Sequence, residues 1–239
     1  MEPVGIWLLC IGLCDLIAGY SGQVATKARG WWAWGAGSAV ALTLALLIGF
    51  GWVEALLLAA WSIITLGLWL WARVPKAWSS ARATAILAGV AGATTVFTLS
   101  AAAWPDAEGG CIQRLLDDLP YPVLEGQGQG RVLTAVGALL FLQASSNALV
   151  RLLLAVVGTH EATQSLRGGR FIGPMERTLI FGLGVAGYLT AAAVVATAKG
   201  LLRFPEISQE GANIHEATEY FLVGSLASWI IALAPLALL

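Results

Sequence analysis

Charge is scarce in this sequence. Asp, Glu, Lys and Arg make up 11% of 239 residues, against about 25% in soluble proteins. With AVILMFWYC at 58% and 28 Gly besides, the apolar share nears about 70%, where soluble domains hold roughly 45–50%. A soluble fold of this length leaves too much surface in water to hide that content. Lipid removes the difficulty by covering apolar faces. The formal net charge is −1, so no field points to nucleic acid as a partner.

Other absences narrow the reading further. Three cysteines form no disulfide or metal-ligand pattern: Cys10 and Cys14 share one apolar run, and Cys111 is alone in a polar loop. They are read as free thiols. The two histidines, His160 and His215, fall in loops assigned to opposite sides of the membrane and cannot share a metal. No metal or other cofactor is expected. No GK[ST] follows a Gly-rich loop. No paired carboxylates or His/Asp/Ser set marks a reaction, so no catalytic residue is named. The first apolar stretch has no basic residue before it, only Glu2, and it contains Asp15. It is expected to be a retained span rather than a cleaved signal. The apolar runs lack the alternation of a membrane barrel.

What is present is a series of runs near the 20 residues that cross a bilayer. They lie near 4–21, 31–50, 53–72, 83–104, 132–157, 177–198 and 219–238. The expected fold is therefore all-α: one polytopic transmembrane bundle over 1–239, with about seven spans. Lys and Arg set its orientation. The 22–30, 73–82 and 158–176 loops are basic, whereas 105–131 carries Asp106, Glu108, Asp117, Asp118 and Glu125 against Arg114 and Arg131. The alternation places the N-terminus and 105–130 outside, and 158–176 and the C-terminus in the cytoplasm. Trp31, Trp32, Trp34, Trp52, Trp69, Trp71 and Trp104 sit at span ends, where aromatic rings favour the interface. A turn near Gly51 makes a helical hairpin of the second and third spans, and Ile112–Leu119 is expected to form one or two helical turns on the outer surface.

Polar residues inside the runs are the candidates for function. Gln143, Ser146, Asn147 and Arg151 are spaced to share one face of a fifth span. A polar stripe requires protein or water, not lipid, beside it. The stripe is either a path for solute, ion or headgroup, or a set of interhelical hydrogen bonds. Arg151 and Asp15 each lie about six residues, roughly 9 Å, inside the cytoplasmic end of their spans, which makes them a candidate pair. Arg167, Arg170 and Arg177 surround the glycines at 168, 169 and 173. That grouping suits an anionic headgroup or phosphate, or serves only as a positive-inside loop. Lys199 and Glu219 are a candidate ion pair across one loop. Gly182, Ala186 and Thr190, and Gly187 with Ala191, give small-residue spacing for close helix packing on a sixth span.

The order of Gly169-Arg170-Phe171-Ile172-Gly173-Pro174-Met175-Glu176-Arg177, Ala198-Lys199, Arg203-Phe204 and Glu219-Tyr220 with Gly224 resembles the C-terminal part of an uncharacterised bacterial inner-membrane family. Its members carry G-R-x-I-G-x-x-E-R, A-K, R-F and E-Y-x-x-x-G. The resemblance covers about residues 140–239. It implies the bacterial inner membrane and draws notice to Arg170, Glu176, Arg177, Lys199, Arg203 and Glu219, without a reaction.

Three function classes follow. The first is a small-solute or ion transport or channel-like subunit with a polar path along the fifth span. The second is a non-catalytic subunit of a larger membrane complex, and the third an enzyme acting on a lipid or polyprenyl phosphate. Expected partners are membrane lipids, anionic ones in particular, and further copies or other membrane subunits.

Overall fold

A computed structural model describes residues 2–19, 27–72, 79–105, 107, 110–121, 126–157, 169–207 and 214–239. Among them every regular element is a helix: α1 (Glu2–Ala18), α2 (Lys27–Ile48), α3 (Trp52–Ala72), α4 (Ser80–Ala101), α5 (Cys111–Asp118), α6 (Gln129–Ala144), α7 (Ser146–Val157), α8 (Gly169–Val185), α9 (Leu189–Ile207) and α10 (Ile214–Leu233), which ends in a 3-10 turn, Ala234–Leu238. Among the described residues four helices are long and apolar enough to cross a membrane: Arg29–Ile48, Trp52–Ala72, Ser80–Ala101 and Phe221–Leu238. The pair α6 and α7, interrupted at Ser145, makes a fifth candidate. The chain divides into two compact units, one of Met1–Pro75, Ala91–Ala144 and the last two residues, the other of Lys76–Val90 and Ser145–Ala237.

The first unit is built around α1. This helix is apolar on every face, and a helix of that kind belongs in the interior. Pro3–Leu8, Cys10–Gly12, Cys14, Asp15 and Ala18 are buried, Leu9, Leu13 and Ile17 are half-buried, and Leu16 is exposed. The closest partner is α6. A Cβ on Gly5 would lie 2.7 Å from the Thr134 backbone N, one on Gly12 2.7 Å from the Phe141 N, and one on Gly137 2.4 Å from the Gly5 O. Residue 5 meets 134 and residue 12 meets 141, so the two helices run parallel with their backbones nearly touching. Only glycine permits that approach. Thr134 sits in the seam with its hydroxyl donating to the Gly130 carbonyl at 2.7 Å, so no polar group is stranded there.

Helices α2 and α3 form the expected hairpin. Gly49, at φ 103°, closes α2. The Phe50 N–H donates to the Ala45 carbonyl and the Gly49 N–H to Leu46, the paired bonds of a Schellman cap. Trp52 and Trp71 lie exposed near the two ends of α3, 19 residues or about 28 Å apart at 1.5 Å per residue. That span matches the roughly 30 Å hydrocarbon layer. Gln129 ties the start of α6 to the end of α2 by donating from Nε2 to the Ile48 carbonyl, and its N–H donates to Gln113 of α5. The expected short helix after the fourth span is thus α5, beside the Gly49 turn and the start of α6.

The second unit departs from the expected sixth span. Residues 177–198 are not one helix. Gly187, at φ +83°, ends α8: the Tyr188 N–H donates to the Leu183 carbonyl at 2.7 Å and the Gly187 N–H to Gly184 at 3.0 Å. This is a second Schellman cap, so Gly187 terminates a helix where small-residue packing on a continuous one was expected. Lys199 then contacts Glu176 at 2.5 Å. In a continuous helix those residues, 23 apart, would be separated by about 34 Å. The arms α8 and α9 therefore fold back as an antiparallel hairpin.

The last helix completes the pattern. Arg177 meets Ser228, Ile180 packs with Ala232, and a Cβ on Gly184 would meet Leu236. Both series rise together, so α10 runs parallel to α8. On α7, Asn147 lies at the level of Arg177 and Leu154 beside Gly224, so α7 runs antiparallel to α10. Helices α7 to α10 of this unit form an up-and-down four-helix bundle, in which the starts of α8 and α10 share one end.

Candidate functional site

The bundle of the second unit holds an ionisable cluster. Glu176 and Arg177 are consecutive on α8 and both are buried, Arg177 at 2% exposure. Glu176 accepts from Lys199 Nζ of α9 on Oε2, and from Trp229 Nε1 of α10 on Oε1 at 2.8 Å. Arg177 donates from Nη1 to Ser228 Oγ of α10 at 3.0 Å and from Nη2 to Asn147 Oδ1 of α7 at 2.5 Å. Neighbouring positions on a helix point about 100° apart, so the two residues serve different sides. Glu176 bonds α9 and α10, and Arg177 bonds α10 and α7. Ser228 and Trp229, also consecutive, receive them on α10. All four helices of the bundle are thereby cross-linked through six polar side chains.

Gly173 shapes one wall. A Cβ there would lie 3.3 Å from Arg177 Nη1 and 3.6 Å from Asn147 Oδ1, so a side chain at that position would press on the guanidinium. Pro174, inside α8, has no N–H and leaves the carbonyl of residue 170 without its helical donor.

The residues singled out from sequence are distributed unequally. The stripe of the fifth span is divided by the break at Ser145: Gln143 ends α6 in the first unit, while Ser146, Asn147 and Arg151 belong to α7 in the second. They do not form a single helical face. Asn147 joins the cluster, Ser146 is buried, and Arg151 is exposed with its Nε donating to the Asn147 carbonyl at 3.3 Å. Asp15, 2% exposed, accepts from Trp69 Nε1 at 2.9 Å within the first unit. Its pairing with Arg151 would join two units and stays a proposal.

The expected Arg group also separates. Arg167 lies outside the described residues. Arg170 is in the first turn of α8, its side chain outside the described set. Arg177 turns into the bundle instead of toward headgroups, because the ninth position of α8 faces α7 and α10. Lys199 pairs with Glu176, not Glu219, since the Gly187 hairpin returns α9 along α8; Glu219 is exposed. Cys10 and Cys14 are buried free thiols, and Cys111 is an exposed one.

Ser228 and Trp229 were not anticipated. Their signal in the sequence was weak, a serine and a tryptophan in mid-span. The Gly187 turn held a stronger clue, for Glu176 precedes it by 11 residues and Lys199 follows it by 12. Comparison of the chain with family models, curated proteins and solved structures gave no match.

Proposed function

We propose that this chain is a multi-spanning transport or channel-like protein of the bacterial inner membrane, with the Glu176–Lys199–Arg177 cluster as its solute or ion site. One observation carries the reading: Glu176 and Arg177 are buried inside a bundle of apolar helices, with Glu176 paired to the half-buried Lys199. Ionisable groups at membrane depth are costly and mark pathways or binding sites by default. The cluster lies 11 to 12 residues from the Gly187 turn, or about 17 Å along the helix, which is near mid-bilayer if the turn sits at the surface.

The positive-inside rule favours a cytoplasmic start for α8, with Arg167 and Arg170 there as contacts for anionic headgroups. Because α10 parallels α8, the C-terminus then emerges on the opposite side, in place of the cytoplasmic end expected from seven spans. Eight crossings, with both termini outside, fit this reading. A Tyr188→Cys label in a background free of other cysteines should react from outside. Labelling from the cytoplasm alone would sink this topology.

The function is tested by reconstitution. Liposomes containing the purified protein should pass at least one class among small anions, cations and neutral solutes faster than empty liposomes. Combined replacement of Glu176 and Lys199 by Gln should abolish that flux while the protein remains monodisperse. Flux equal to empty liposomes across all three classes would reject the reading.

A further inference from the structure

We propose that the cluster takes up a small oxyanion together with one proton, and that Glu176 is the internal anion which the ligand displaces. This rests on the transport reading and names its substrate class and coupling. Two donors from separate helices, Lys199 Nζ and Trp229 Nε1, converge on the two oxygens of one carboxylate. That donor pair is equally suited to an external carboxylate or phosphate oxygen. A second anion cannot join while Glu176 is charged, because two like charges in a dry site repel strongly. A proton from water on Glu176 Oε2 removes the conflict. The Lys199 and Trp229 N–H groups then turn to the incoming anion, and Glu176 becomes a neutral hydrogen-bond donor. Proton and anion arrive as a pair, so the charge of the buried cluster is the same before and after.

Access and surroundings agree with this exchange. The Lys199 side chain is 23% exposed, against 7% for Glu176, so Lys199 is the more accessible member of the pair. Among the described residues, the groups facing Glu176 are Lys199 from α9 and Trp229 from α10, with Arg177 beside it on α8. Beyond Arg177 stand Ser228 of α10 and Asn147 of α7. Lys199 and Arg177 are the titratable members besides Glu176 among the described residues.

The test is calorimetric binding to the intact purified protein, with inorganic phosphate, pyruvate and a short-chain phosphatidic acid as probes. Runs in two buffers of different ionisation heat count the protons taken up. The expected result is one proton per anion, with affinity falling about tenfold per pH unit as pH rises. Binding of phosphate or pyruvate identifies a soluble anion. Binding of phosphatidic acid alone identifies a lipid headgroup, and either with one proton supports the proposal. Glu176→Gln should bind the same anion with no proton uptake and little pH dependence, and Lys199→Gln should lose binding. If Glu176→Gln does not fold, the proton count of the unaltered protein decides. Anion binding without proton uptake, or no binding of any probe, overturns the proposal. Solute flux in liposomes without either leaves the transport reading standing, which separates the two failures.

Discussion

The α1–α6 seam of the first unit and the polar cluster of the second hold helices together by different means. In the first, α1 and α6 meet through glycines, backbone against backbone, and the seam is almost free of charge. In the second, four helices meet through Glu176, Arg177, Lys199, Asn147, Ser228 and Trp229. Lipid gives helices no hydrophobic reason to associate, so packing and polar bonds are the available forces. The α1–α6 seam uses the former, with side-chain bonds such as Trp69 to Asp15 and Gln129 to Ile48 at other contacts of the first unit, and the cluster of the second unit uses the latter. A glycine seam is rigid and chemically inert, whereas a polar seam can be reorganised by a proton or a ligand.

Substitutions can test that contrast. The largest effect is expected at Lys199→Ala, which strands the buried Glu176 carboxylate. Breaking one side of a buried pair costs about 3–5 kcal/mol in soluble proteins, and thermal unfolding in detergent should show a loss of that order. Adding Glu176→Gln should recover part of it. A single mutant with unchanged stability would mean that the polar seam does not hold the bundle.

Gly12→Ala should come next. Its new Cβ would fall 2.6 Å from the Leu140 carbonyl carbon, and overpacking of this kind costs about 1–3 kcal/mol. The same melt measures it, and the loss should not respond to pH. Trp69→Phe removes one hydrogen bond to Asp15, worth about 1.5 kcal/mol for a charged acceptor. Its loss should be smaller in an Asp15→Asn background. Gly187→Ala is expected to be the mildest. Nothing lies within 4 Å of its Cβ position, so only the left-handed backbone is penalised, by about 1 kcal/mol. A larger drop would show that the turn is packed against something.

Both hairpins end their first helix with the same cap, yet only one was legible in the sequence. Around Gly49 and Gly51 the apolar stretch is two spans long, so a turn had to be placed within it. The stretch 177–198 is 22 residues, enough for one span, and length alone raised no conflict at Gly187. The error then spread. A continuous helix put Lys199 at the far side from Glu176, made Glu219 its nearest acid, and fixed the C-terminus on the wrong end of the bundle relative to Arg170. The fifth run failed differently, for nothing in Ala144-Ser145-Ser146 signals a break. Helical class, the α2–α3 hairpin and α5 were readable, because each depends on local pattern. Arg177 and Glu176 were noticed as charges at a span start, but their partners lie 23 to 53 residues away. No spacing rule reaches that far.

The turn at Ala186–Tyr188 also bears on how the chain enters the bilayer. Those three residues carry no charge, so the leading edge of the α8–α9 hairpin presents nothing that water must hold back. If the arms were inserted one after the other, Glu176 and Lys199 would each cross hydrocarbon as a lone ion. Entering folded, they travel as a pair already neutralised by their contact, and the bilayer meets a dipole instead of two charges. If α8 and α9 cross the bilayer as the proposed topology requires, the glycine that reverses the chain brings the acid and the base together before either reaches the centre of the membrane.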